Sequence, residues 1–316
     1  MIPATCMQPN PRTAFAPLLT LPHPLIDSQS VPRLIVNADD FGLTAGVNRA
    51  ILELHNAGVV TSTSLMARAS ATSQAIHIAR STATLGVGCH VVLVDGSPIF
   101  SAQNQLRRLA DPVSGQFRLG LFSFLRSLDL ASGREEFRRQ IEDETRAQIQ
   151  SLQDKGVQLT HIDTHKHTHM FPSVLRPVLR AARACGIHAV RNPFEPSWAV
   201  HSSRRAPWMR IAEVSALRWL APVCRRIIAE EGFTTTDGTI AVAATGALDA
   251  ATLRSLMRDM PDGTWELVTH PGYNDTDLAQ VRTRLRSTRD IERQILPVLC
   301  EFSAVDLISF GQLNSC

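Results

Sequence analysis

Lysine is nearly missing from this chain: of 32 basic residues only Lys155 and Lys166 are lysines, and the rest are arginines. The pairs Arg107-Arg108, Arg138-Arg139, Arg204-Arg205 and Arg225-Arg226 are scattered rather than gathered into a stripe. Helix surfaces account for them, and no nucleic-acid partner is expected. Paired cysteine spacing is missing too. The six cysteines (Cys6, Cys89, Cys185, Cys224, Cys300, Cys316) form no CxxC and read as reduced, mostly buried thiols of a reducing compartment. No apolar run approaches transmembrane length, so no membrane span is expected. The apolar piece from Ala14 to Leu21 is interrupted by Pro17, lacks a basic flank and has no small-residue cleavage pattern after it, which makes it a poor signal peptide. No GxGxxG opens a helix after the first strand, so dinucleotide binding has no support. Residues 1–30 carry Pro3, Pro9, Pro11, Pro17, Pro22 and Pro24 and are expected to be an irregular, disordered extension. Cytoplasm is the default location.

What the chain does have is core and alternation. Its 316 residues are 44% hydrophobic with a net charge of +3, the profile of a soluble globular protein. From Pro32 onward short β-like runs alternate with longer helical stretches. Strands are predicted at Arg33–Val36, Val59–Met66, Gly86–Val94, Leu159–His165, Ile187–Arg191, Thr239–Ala243, Glu266–Thr269 and Asp306–Ser309. Helices are predicted at Gly46–Ala57, Gln74–Ser81, Glu135–Lys155, Phe171–Cys185, Ala250–Met260 and Ser287–Phe302. This rhythm argues for an α/β fold with a parallel sheet, and seven or so units favour a TIM-like barrel over an open sheet. One domain over residues 31–316 is expected. Two stretches, about Pro98–Ser132 and Pro193–Gly238, break the rhythm and read as long loops that serve as lids or substrate walls.

Four of the strand-like runs end in Asp or His. Leu34-Ile35-Val36 leads into Asp39-Asp40, Leu85-Gly86-Val87-Gly88 into His90, Leu159-Thr160-His161-Ile162 into Asp163 and His165, and Leu267-Val268 into His270. Acid and imidazole at buried strand ends cost stability unless something binds them. If the ends converge, they make a metal site with acid/base groups around it. The densest segment runs from His161 through Asp163, His165 and His167 to His169. Five polar groups on one buried strand face is implausible, so the strand should stop near His165 and carry His167 and His169 to the rim of the site. Imidazole is the commonest protein ligand for Zn²⁺ and similar ions, although a surface cluster has the same composition. Asp39 and Asp40 stand where the strand turns at Gly42. One could ligate while the other serves as base, or both could cap the next helix. Alone, His90 and His270 are more often satisfied structural residues. Gly86 and Gly88 would let the backbone near His90 approach a ligand. Arg191 is open equally to a structural ion pair and to an anion clamp.

These residues follow the order and spacing of a known family. The string Asn37-Ala38-Asp39-Asp40-Phe41-Gly42, then Gly88-Cys89-His90, His161-Ile162-Asp163-Thr164-His165-Lys166-His167-Thr168-His169, and Thr269-His270-Pro271-Gly272 resemble the YdjC-like (ChbG/HpnK) carbohydrate deacetylases, which include chitooligosaccharide deacetylases. The resemblance covers about residues 33–312. It implies an irregular TIM-like (β/α) barrel of the glycoside hydrolase/deacetylase type, with one divalent metal ion, Mg²⁺ or Zn²⁺, held by one Asp and two His. Carried over motif by motif, the metal ligands are Asp40, His90 and His165, the base is Asp39 and the acid is His270. Thr164 stands where Ser is commoner and Lys166 where His is frequent; neither removes a ligand.

The expected activity is removal of an N-acetyl group from an acetylated amino sugar or oligosaccharide. A metal would activate water and polarise the carbonyl, Asp39 would take a proton and His270 would return one to the amine. Arg191 would help hold the oxyanion, while His167, His169 and Asp163 would line the substrate pocket. A metal-dependent phosphoesterase on a similar barrel would want more carboxylates. A glycosidase would leave the histidines unexplained. A non-catalytic sugar- or metal-binding protein would need neither base nor acid. A homodimer is left open.

Overall fold

The computed structural model describes residues 31–100, 106, 108–111, 113–128, 134–203 and 205–313. The expected N-terminal extension, residues 1–30, lies outside the described residues, as do parts of the 98–132 stretch. Among these residues seven parallel strands form the sheet: β1 (Arg33–Phe41), β2 (Ser62–Leu65), β3 (Gly86–Val91), β4 (Ile162–Thr164), β5 (Gly238–Ile240), β6 (Thr264–Thr269) and β7 (Asp306–Leu307). Their order is β4-β3-β2-β1-β6-β5, with β7 paired to the first residues of β1. Each parallel neighbour needs a crossover, and helices supply them. These are α1 (Ala45–Asn56), α2 (Thr72–Ser81), α3 (Leu121–Leu128), α4 (Arg134–Gln153), α5 (Pro172–Ala184), α6 (Ser197–Ser202), α7 (Trp208–Leu217), α8 (Ala221–Glu230), α9 (Ala250–Asp259), α10 (Thr276–Gln280) and α11 (Arg286–Ile295).

The regular sheet is a half-barrel of the TIM-like kind, and the α/β reading holds. The far side is carried by irregular chain. Val190 bridges Ile162 of β4, and Ala189 bridges Thr234, four residues before β5. Ile187–Arg191 is therefore not a regular strand, as the sequence predicts, but a stave held by single bridges. The hydrogen bonds Ile162 N–Ala189 O and Arg191 N–Ile162 O, at 3.0 and 3.1 Å, fix Arg191 in it. The Pro193–Gly238 stretch is not a loop either, because α6, α7 and α8 occupy most of it.

The first strand also departs from expectation. β1 continues through Phe41, so Asp39 and Asp40 lie within the strand and not in a following loop. Its pairing with β2 slips between Ala38 and Phe41, and Asp40 takes a left-handed φ of 64°. A slip of this kind re-aims side chains that would otherwise alternate across the sheet. Helix capping does not explain either carboxylate. Thr44 caps α1 by accepting from Val47 N at 3.2 Å, leaving both free for other work.

Candidate active site

Among the described residues five other than glycine have positive φ: Asp40, Asp95, Lys166, His167 and Ala241. All lie at or just beyond the C-terminal ends of β1, β3, β4 and β5. Strain of this sort persists where the surroundings over-determine it and clusters at functional sites, and the C-terminal end of a parallel barrel is where such sites sit.

Three ligand-type atoms meet there. His90 Nε2 lies 3.5 Å from Asp40 Oδ1, His165 Nδ1 lies 3.3 Å from the same oxygen, and the two imidazole nitrogens are 3.3 Å apart. Donors about 2.1 Å from one ion at tetrahedral angles stand about 3.4 Å from each other. The triangle therefore has the right size for a divalent cation. Asp40 Oδ1 is also a buried acceptor with no hydrogen-bond donor among the described residues, the condition that a bound cation relieves. The residues present fit the metal that the sequence implies.

Neighbouring groups aim the ligands. His90 sits on β3 beside Asp163 of β4, whose Oδ1 takes its Nδ1 at 2.9 Å, leaving Nε2 for the ion. Asp163 is fully buried; its Oδ2 accepts from Ser64 Oγ at 3.0 Å and pairs with Arg191 at 2.5 Å. Burial works against a charged imidazole at His90, yet Asp163 and Asp39 outweigh it and raise its pKa well above the ordinary value. Burial likewise opposes ionisation of Asp40, but Arg289 and the neighbouring His165 and His90 rings hold it well below the usual carboxylate range. Proton and metal thus compete for His90.

Asp39 is held from the other side. Arg191 grips it through NH2–Oδ1 at 2.6 Å and NH1–Oδ2 at 2.9 Å, and Asn37 Nδ2 donates to Oδ1 at 2.9 Å. His270, just past β6, places Nε2 3.9 Å from Asp39 Oδ2. Burial lowers His270 to about 4, against the pull of Asp39 and Asp40, so the ring is neutral near pH 7. Asp39, His90 and Asp163 also lie close enough to suggest a second cation seat. The Arg191 guanidinium already bonds both carboxylates, and its positive charge fills that role.

Several sequence expectations change here. Arg191 does not face a substrate oxyanion: it is fully buried and bridges Asp39, Asp163 and Glu266, the last through Nε–Oε1 at 2.8 Å. Asp163 is no pocket wall either, because it orients His90. His169 is fully buried, between Thr164 Oγ1 at 2.7 Å and the Arg191 carbonyl at 3.2 Å, and so supports the fold instead of the rim. His167 is 9% exposed, on a left-handed residue, with Nδ1 unpartnered. His161 stacks on Phe310, ring centroids 3.9 Å apart, and a Cβ on Gly88 would meet its Nε2 at 2.4 Å. Gly88 thus makes room for an internal ring and not for a ligand.

Sequence reasoning passed over two residues of α11. Arg289, 1% exposed, contacts Asp40 Oδ2 through NH2. Glu292, one turn on and equally buried, accepts the His270 backbone N–H at 2.6 Å. Burial raises Glu292 to about 7. The one available signal was the i, i+3 pairing of charge on the helix that follows the His270 strand.

The chain is similar to several known proteins. A "Carbohydrate deacetylase" of Brevibacillus brevis is 30% identical over 290 residues, covering 89% of this chain and all of that relative. One from Mus musculus is 31% identical over 253 residues, covering 76% of this chain and 78% of its own length. A crystal structure provisionally described as a cellobiose-phosphate cleavage protein, from Enterococcus faecalis V583, superposes with a TM-score of 0.69 at 26% identity. It covers 90% of this chain and 99% of its own. The model of the YdjC-like proteins matches residues 33–298, and the chain belongs to that family.

Proposed function

We propose that the protein is a metal-dependent carbohydrate deacetylase that hydrolyses the N-acetyl group of an acetylated amino sugar or oligosaccharide. The observation that carries this reading is the Asp40–His90–His165 triangle with a clamped Asp39 and a neutral His270 beside it. The relatives named carbohydrate deacetylases support the substrate class.

Asp40, His90 and His165 would hold one divalent ion, Zn²⁺ or Mg²⁺, leaving positions open for water and the acetamide oxygen. Such an ion polarises the carbonyl and lowers the pKa of water toward about 7. The remaining steps fall to the chain. Asp39 Oδ2 takes the proton of the attacking water, its carboxylate kept in one orientation by Arg191 and Asn37. His270, neutral at rest and 3.9 Å from that oxygen, relays the proton to the nitrogen as the C–N bond breaks. Acetate and a free amino sugar leave. Glu292 fixes the backbone that carries His270. The free thiols of Cys89, Cys185, Cys224 and Cys300 support a cytoplasmic location.

The test is acetate release from N-acetylglucosamine oligomers by protein reconstituted with Zn²⁺ or Mg²⁺, with chelated protein as control. Metal-dependent acetate release is the expected result. Hydrolysis of a phosphate ester with no acetate from any N-acetyl sugar overturns the reading.

A further inference from the structure

The helical run from α7 through α8 carries apolar side chains on two opposite sides. Val214, Ala221, Cys224 and Ile228 face the protein. On the opposite side Trp208 is 77% exposed, Met209 65%, Trp219 86% and Val223 49%. Residues 217, 218, 220 and 221 keep right-handed helical angles between the two helices, so the turns continue from 208 to 230. Trp208, Ala212, Trp219 and Val223 fall at i, i+4, i+11 and i+15, one stripe of a run about 34 Å long.

The same stretch concentrates positive charge. Residues 204–230 hold six arginines (204, 205, 210, 218, 225 and 226) against Glu213 and Glu230, a net of +4, whereas the whole chain carries +3. Arg205, Arg218, Arg225 and Arg226 are exposed. The partners of Arg205 and Arg226, Asp249 at 2.5 Å and Glu230 at 2.7 Å, form solvent-facing pairs that hold little energy.

We propose that this outward face docks on an anionic lipid surface. Tryptophan with its ring half in hydrocarbon and arginine reaching phosphate headgroups is the chemistry of helices that lie in a membrane interface. A second copy fits less well, because an isologous contact would set this arginine-bearing face against itself. An outward helix face also offers no groove for a nucleic-acid strand to follow. α7 packs through Ile211 and Val214 on Val242 and Ala243, just past the C-terminal end of β5. Docking therefore holds the barrel by the end that carries the Asp–His cluster. No helix among the described residues is long and apolar enough to cross a membrane, so the contact is peripheral.

The test is co-sedimentation of the full chain with phosphatidylcholine vesicles made with and without phosphatidylglycerol, together with tryptophan emission. Binding to the anionic vesicles alone, weakened by salt and accompanied by a blue shift, is the expected result. Trp208→Ala with Trp219→Ala should lower partitioning about tenfold or more and abolish the shift, since Trp198 and Trp265 pack on each other 5.2 Å apart. Arg225→Gln with Arg226→Gln should also lower it about tenfold or more. These positions are exposed, and unchanged thermal melting shows the variants folded. Equal binding to both vesicle types, or to neither, overturns the proposal. Self-association abolished by the tryptophan pair without vesicle binding overturns it in favour of a second copy. Retention on a polyanion without vesicle binding does so in favour of a nucleic-acid-like partner.

Discussion

Asp39 and Asp40 are neighbours on β1, each met by a buried arginine, and the two arginines are held in opposite ways. Arg191 bonds Asp39, Asp163 and Glu266, so one cation serves three carboxylates. Arg289 touches Asp40 through NH2, while its Nε and NH1 have no partner among the described residues. On the Arg191 side the guanidinium and its carboxylates bond one another and the surplus is negative. On the Arg289 side polar atoms are left over, and the ligand atoms of Asp40, His90 and His165 gather there. Surplus negative charge behind, and the lone-pair atoms of Asp40, His90 and His165 in front, make a seat for a divalent cation. The difference suits the proposed division of labour, with Asp39 locked to hold a proton and Asp40 placed to hold an ion.

The comparison breaks most visibly at the ligands. His165→Ala is expected to lose both bound metal, by elemental analysis, and acetate release to background; full metal retention would show that the triangle is not the site. Asp39→Asn should keep the metal and lose about 10³-fold in kcat, about 4 kcal/mol. A matching loss of metal would merge the two carboxylates into one role. Arg191→Met strands three buried carboxylates and is expected to cost about 3 kcal/mol of stability in chemical denaturation; a near-neutral result would mean that the clamp on Asp39 is dispensable.

The smallest effect is a slope. Burial raises Glu292 to about 7, against the opposing pull of the His270 N–H and Arg289. The native state then binds the proton where the unfolded chain, near 4.5, has released it. The stability this contributes is full below about 4.5 and is lost as pH rises through 7. Glu292→Gln should therefore flatten the fall in stability between those values, measured as denaturation midpoints against pH. An unchanged slope would place the titration elsewhere.

Much of the fold was legible because the strands run as short apolar pieces between amphipathic helices. The predicted bounds of α1, α2, α4, α5 and α9 fall within two residues of those observed. What was hidden depended on contacts far apart in sequence. No local pattern says that Asp40 adopts a left-handed φ, or that Arg191 turns inward to meet residue 39 across 152 positions. His169 reads as a rim residue because five polar residues at alternate positions, 161 to 169, carry no mark of which will be internal struts. Helices α6 to α8 were read as loop because their apolar residues face outward as well as inward, which blurs the helical period.

One contact has a further consequence. Asp40 meets Arg289 across 249 residues, and β1 is flanked by β7, which lies after α11. During synthesis at roughly 5–20 residues per second, the acidic pair leaves the ribosome tens of seconds before its last partner. Until then the half-built pocket has carboxylates and imidazoles but not the helix that completes it. Asp40 thus gains its buried counter-charge only once residues 286–295 have been made, so its side of the pocket is closed late, by the same stretch of chain that brings β7 to β1.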